Sequence, residues 1–323
     1  MLLPMKLPYD EFDLSAVRRY PLASRESKVR REHLAAPHEP GTSITTWIAR
    51  LPKLLAARDF AAVVDALVAA HGRPAPIVWG LGAHVIKTGL SPVLIDLMAR
   101  GFVSAIALNG AGVIHDVELA LGGGTSEDVD AALGPGAFGM AEETGAGINA
   151  AIRHGVAAGH GLGRSVAEWL HAENPPHADV SLLCAAARHG VPVTVHVALG
   201  TDIVHMHPDA SGAAIGEGSL RDFRVFTSAV AKLGGGVYIN CGSAVVLPEV
   251  FLKAVAIARN HGHDLTGLTT VNLDFLPHYR PLTNVVRRPT AGIGQGFHLT
   301  GHHELLIPLL AAALVERTSP GGA

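Results

Sequence analysis

Cysteine is nearly absent. Cys184 and Cys241 are the only two, and no C-x-x-C occurs. That excludes a disulfide framework and fits a reducing, cytoplasmic setting. Charge is also scarce: 16% of the chain is charged and the formal net charge is −3. Without a basic excess, a phosphate-tracking nucleic-acid role is not expected. Long hydrophobic runs are missing as well. The longest uncharged apolar stretch, Leu305 to Val315, is too short to span a bilayer and contains Pro308, so it is read as a buried helix. The N-terminus, MLLPMKLPYDEFD, has no apolar core of a signal peptide, and no membrane role is expected. Lysine is the last shortage, with six residues against 19 histidines.

What is present is apolar. Hydrophobic residues make up 48% of the chain, which excludes disorder. A length of 323 residues suggests about two domains, or one large α/β sheet. Residues 1–42 are polar, Arg-rich and punctuated by proline, and read as an arm that packs on a neighbour or frays. Residues 43–323 read as one α/β domain with a helical lead-in over 43–73. In that lead-in, Thr42 or Ser43 caps a helix through TTWIARLPKLLAA, and FAAVVDALVAAHG forms a second.

From residue 75 onward, short apolar runs alternate with helical patterns. PIVWGLG, VSAIALNGAG, VPVTVHVALG, GGGVYINCGS and LTTVNLD read as strands. Between them, helices open at Ser91-Pro92, with Ser91 as N-cap, and at HDVELALGG, Thr125–Asp128, ADVSLLCAAARHG, SLRDFRVFTSAVAKL and PEVFLKAVAIARNHG. This alternation predicts a Rossmann-like, doubly wound, mostly parallel sheet. Ligands of such sheets bind beyond the carboxyl ends of strands. The loops of interest are therefore Gly80–Gly89, Asn109–Asp116, Gly200–Pro208, Gly236–Ser243 and Asp274–Pro281.

Gly80-x-Gly82 lacks the third glycine of a dinucleotide fingerprint, since residue 85 is Val. Gly110 and Gly112 share its character, with His115-Asp116 just beyond. His196, His205 and His207 crowd near Asp202, in no established metal spacing. Gly234, Gly235 and Gly236 form a glycine tract that suits a backbone nest or a planar ligand. Of the adjacent His302 and His303, at most one faces a site.

In order and spacing, GLGAHVIKTGL, GFVSAIALNGAGVIHDVELAL, HGVPVTVHVALGTDIVHMHP, KLGGGVYIN, LTTVNLDFLPHYRPLTNVV and LTGHHELLIPLL resemble the deoxyhypusine synthase family over roughly three quarters of the chain. The resemblance implies an NAD-binding sheet and a homotetramer. It places NAD contacts on Gly82, Ala83 and His84; Asn109, Gly110 and Ala111; Asp202; Gly234, Gly235 and Gly236; and Thr269 and Thr270. Asp274 would line the pocket. The family's imine-forming lysine falls on Pro289 or Arg288, and arginine cannot form an imine. Its catalytic histidine falls on Asn240. Three of its acids fall on His115, His205 and His302. The resemblance therefore implies changed chemistry: an oxidoreductase or transferase acting on a small, non-polycationic metabolite, with a neutral His115 or His205 as general base. A second reading gathers His115, His205 and His302 on one divalent metal with Asp202 or Asp116. A third is a non-catalytic NAD-binding protein on the same scaffold.

Overall fold

In the computed structural model, which describes residues 9–319, six strands form one parallel sheet: β1 (Ile77–Leu81), β2 (Ala105–Asn109), β3 (Val193–His196), β4 (Val237–Cys241), β5 (Thr269–Asp274) and β6 (Gln295–Thr300). Their order is β3-β2-β1-β4-β5-β6, and every neighbouring pair is parallel. The chain thus winds outward from β1 in one direction and then returns to wind from β4 in the other. The predicted Rossmann-like sheet is present. β6 is an addition, because its polar run QGFHLT lacks the apolar signature of the other strands.

The helices are α1 (Ile44–Ala49), α2 (Leu55–Gly72), α3 (Ala83–Lys87), α4 (Ser91–Ala99), α5 (Gly110–Gly122), α6 (Val129–Leu133), α7 (Ile148–Ala157), α8 (Leu162–Glu173), α9 (Leu182–His189), α10 (Gly212–Val230), α11 (Val246–Asn260), the single turn α12 (Tyr279–Pro281) and α13 (His303–Thr318). π-helical turns precede α7 at Glu143–Gly147 and follow α12 at Leu282–Arg287. Strand alternation assigns the two faces. Ile77, Trp79 and Leu81 join the larger core with α2, α4, α5, α9 and α13, whereas Val78 and Tyr238 face α10 and α11. Trp79 is fully buried, and its indole N–H donates to Phe102 O at 3.0 Å.

Several local expectations change. The helix expected across TTWIARLPKLLAA breaks before Pro52, whose ring cannot supply a helical N–H, and α2 restarts at Leu55. Ser43 does cap α1, by accepting from Thr46 N. Leu90, not Ser91, is the N-cap of α4, and the buried Ser91 hydroxyl has no partner. Asp128 caps α6, which frees Thr125 for another role. Residues 9–43 make only two short 3-10 turns, and Tyr9, Phe12, Leu14 and Tyr20 are exposed there. Among the described residues, no helix is long and apolar enough to cross a membrane.

Candidate functional site

β2 runs into α5 without an intervening loop. Asn109 ends the strand, and its side-chain carbonyl accepts from Gly112 N at 3.0 Å. The Asp202 carboxylate, from the segment after β3, lies against Gly110 at the start of α5. A Cβ on Gly110 would lie 2.1 Å from Asp202 Oδ2, so the sequence must have glycine there. Asp202 Oδ2 is buried and has no hydrogen-bond partner. Burial raises the Asp202 carboxyl above the usual range, against the pull of His205 and the Ala111 amide. His205 Nδ1 accepts from Gly200 N at 3.1 Å and Asp202 N at 3.3 Å. Its neutral ring therefore carries the proton on Nε2, 4.0 Å from Asp202 Oδ2. A cavity of roughly 20 Å³ lies between Asp202, His205 and Gly110, room for about one water.

His115 lies one helical turn beyond Ala111 on the same face of α5. Its Nδ1 is 2.6 Å from Thr125 Oγ1, and Thr125 donates to Glu118 Oε2 at 2.5 Å. Thr144, in the π-helical turn, donates to Glu118 Oε1 at 3.4 Å. Burial raises Glu118, but the neighbouring His115, 3.9 Å away, and the hydrogen bond from Thr125 outweigh it and hold the carboxyl below its ordinary value. Glu118, Thr125 and Thr144 were not among the expected site residues. The available signal was the i, i+3 spacing of His115 and Glu118 on one helix face. Asp116 belongs elsewhere. Fully buried, it accepts from Ser181 Oγ, Leu182 N and Leu183 N and anchors the N-terminus of α9.

Near the carboxyl ends of β4, β5 and β6 most polar side chains bond to one another. Asn240, Asn272 and His298 are register partners. Asn240 Nδ2 donates to Asn272 Oδ1 at 2.7 Å, Asn272 Nδ2 to His298 Nδ1 at 2.9 Å, and His298 Nε2 meets Thr300 Oγ1 at 3.1 Å. Asn240 is therefore a core amide of this ladder, and only its Oδ1 lacks a partner. Asp274 accepts from Phe275 N at 2.8 Å and shapes the turn after β5. Of the paired histidines, His303 is the buried one, bonded through Nε2 to Leu273 O at 3.1 Å. His302 is 66% exposed and stacks on Phe275.

The expected residues therefore separate into groups. Gly82 and Ala83 lie at the carboxyl end of β1, where a Cβ on Gly82 would strike Gly242 O at 2.1 Å. His84 is exposed on α3. Asn109, Gly110, Ala111, Asp202 and His205 gather at the start of α5, and His115 lies a turn further along it. Gly234, Gly235 and Gly236 precede β4, and Thr269 and Thr270 begin β5, so all five sit at the amino edge of the sheet. The physical reason is topological. In a parallel sheet only strand-to-helix turns reach the carboxyl edge, and these segments are helix-to-strand turns. Gly236 N accordingly bonds Leu233 O, and Thr270 Oγ1 donates to Val285 O. On the order of 20 Å of strand separates them from the carboxyl edge.

His115, His205 and His302 do not converge. His115 is tied to Thr125, His205 to its own loop, and His302 lies beyond β6. Among the described residues no three His, Cys, Asp or Glu side chains are grouped to hold a metal, so the shared-metal arrangement is not formed. Both cysteines are free and buried, and burial raises the Cys241 thiol well above its ordinary range. This leaves it inert as a nucleophile.

No protein-family model matches the chain, and no curated protein matches it. Solved structures match its fold. AgrE, in a ternary complex with ornithine and NAD+, is similar at a TM-score of 0.55 and 18% identity over 83% of this chain and 35% of AgrE. A conserved Methanococcus maripaludis S2 protein assigned to LOR/SDH is similar at 0.51 and 16% identity, covering 81% of this chain and 70% of that one. An Entamoeba histolytica protein assigned as a deoxyhypusine synthase is similar at 0.50 and 12% identity, covering 86% and 95%. The chain spans about a third of the length of AgrE and of ArgZ, a cyanobacterial arginine dihydrolase (35% and 34%). These likenesses establish a distant kinship of fold with both groups.

Proposed function

We propose that this chain is an NAD-dependent enzyme of altered chemistry, acting on a small metabolite that carries a hydroxyl or amino group. The observation that carries the reading is the unpartnered, buried Asp202 Oδ2 beside Gly110 and Ala111, at the carboxyl edge of β2 and β3. A single ligand hydroxyl, such as one of a ribose, would satisfy the oxygen, with the rest of the ligand outside the cavity of roughly 20 Å³. The Gly112 amide is already taken by Asn109, so a diphosphate has no claim on it. NAD, when bound, supplies a two-electron acceptor. This chain's own residues bind, orient and move the proton: Asp202 holds the ribose, and His115 accepts a proton from the substrate hydroxyl or ammonium.

Polyamine transfer is not supported. The Asp116 and Asp274 carboxylates are committed to backbone amides, Arg288 bonds Asn284 Oδ1, and Pro289 O accepts from Arg259. Self-association belongs to the same proposal, supported by the exposed apolar side chains of residues 9–34. A homotetramer rests on the family resemblance alone. Calorimetric titration with NAD tests the reading. Binding that Asp202→Asn weakens supports it, and no binding at millimolar NAD overturns it. Binding without turnover across alcohols and amines would favour a non-catalytic NAD-binding protein.

A further inference from the structure

We infer that Glu118 and Thr125 are positioning residues that fix the tautomer of His115 and make its Nε2 the proton acceptor. The argument starts from proton count. Glu118 is held in its ionised form, so it can only accept. Thr125 has one hydroxyl proton, and that proton goes to Glu118 Oε2. Thr125 Oγ1 can then only accept from His115, so Nδ1 carries the imidazole proton and Nε2 keeps its lone pair.

The surroundings are built to hold this relay. Ser126, next to Thr125, adopts a left-handed conformation (φ 71°) that costs a non-glycine residue energy. Thr144 reaches the other Glu118 oxygen from a π-helical turn, a form frequent at functional sites. A strained turn and an uncommon helical turn therefore flank one carboxylate. In the step this serves, a substrate O–H or N–H proton passes to Nε2. The bond to the substrate heteroatom breaks, its electron pair stays on the substrate, and Glu118 stabilises the imidazolium through Thr125.

The chemistry assigned to His115 rests on the proposed function, but the tautomer does not. The test is 15N NMR of the ligand-free full chain with labelled histidine. We expect His115 protonated on Nδ1 and not on Nε2 in its neutral form. Thr125→Val and Glu118→Ala should shift it toward the Nε2–H tautomer that a free histidine side chain favours. Thr125→Ser, which keeps the hydroxyl, should leave it unchanged, and the wild-type tautomer itself decides the inference if the first pair fails to fold. Nε2–H in the wild type, or an unchanged signal in Thr125→Val, would overturn the inference. An intact Nδ1–H signal in a chain that binds no NAD would keep the relay and remove the dinucleotide reading.

Discussion

The two halves of the sheet treat polar groups at their carboxyl ends differently. Around β1, β2 and β3, polar side chains are positioned but not exhausted. Asp202 keeps one oxygen without a partner, and His115 is bonded only through Nδ1. Around β4, β5 and β6, Asn240, Asn272, His298 and Thr300 bond to each other in a row that leaves over only Asn240 Oδ1, and Asp274 closes its own turn. Under the proposed function the first half offers its ligand an ionisable oxygen and a ring nitrogen. The other spends its hydrogen-bonding capacity on the fold, because unpaired buried polar groups cost about 1–3 kcal/mol each.

The largest test of this contrast lies at β3, where a buried carboxylate is structural even in the ligand-facing half. Asp222 accepts from Gly163 N and Val195 N, each at 2.8 Å, and burial pushes it up to about 7. The folded state thus holds the proton more tightly than the unfolded chain. The stabilisation is present at low pH and lost as pH rises from the carboxylate range through about 7. Three units correspond to roughly 4 kcal/mol. Asp222→Asn should abolish that slope in urea melts. His196, lowered to about 4 by burial, contributes the opposite sign: its stabilisation is lost as pH falls from about 6.5. The residual slope of Asp222→Asn should therefore rise with pH, and an unchanged slope would contradict the assignment.

Next in size, Gly110→Ala forces a methyl group onto Asp202. We expect a loss of about 3 kcal/mol in denaturant melts, together with loss of NAD binding. Asn272→Ala breaks the ladder in the other half. It should cost about 2 kcal/mol and leave NAD affinity unchanged; an equal loss of affinity would erase the distinction between the halves. The smallest effect is expected from Gly235→Ala. Its φ of 68° favours glycine, yet nothing lies within 4 Å of the added carbon. A loss of about 1 kcal/mol follows, again without effect on NAD.

The sheet was legible because runs such as IVWGL and VYINC are apolar and regularly spaced between helices. The candidate site was only partly legible. Strand-to-helix junctions were legible at Gly82 and Asn109–Ala111, where glycine and a capping Asn mark them. The Gly234–Gly236 tract misleads because a glycine run has the same composition before a strand as after one, and only the topology decides its edge. Thr125 reads as a helix start from its neighbours, whereas its contact with His115 spans ten residues and depends on the Ser126 turn. His302 and His303 are equivalent in pattern, and packing against Gly242 and Leu273 selects His303.

The most direct measurement is NAD affinity by calorimetry for the wild type, Asp202→Asn and Gly235→Ala under one set of conditions. We expect the wild type to bind, Asp202→Asn to bind at least about tenfold more weakly, the equivalent of one hydrogen bond to a charged group, and Gly235→Ala to match the wild type. Absence of NAD binding in the wild type, or a Gly235→Ala defect as large as that of Asp202→Asn, would contradict a dinucleotide site at the β1–β2–β3 carboxyl edge.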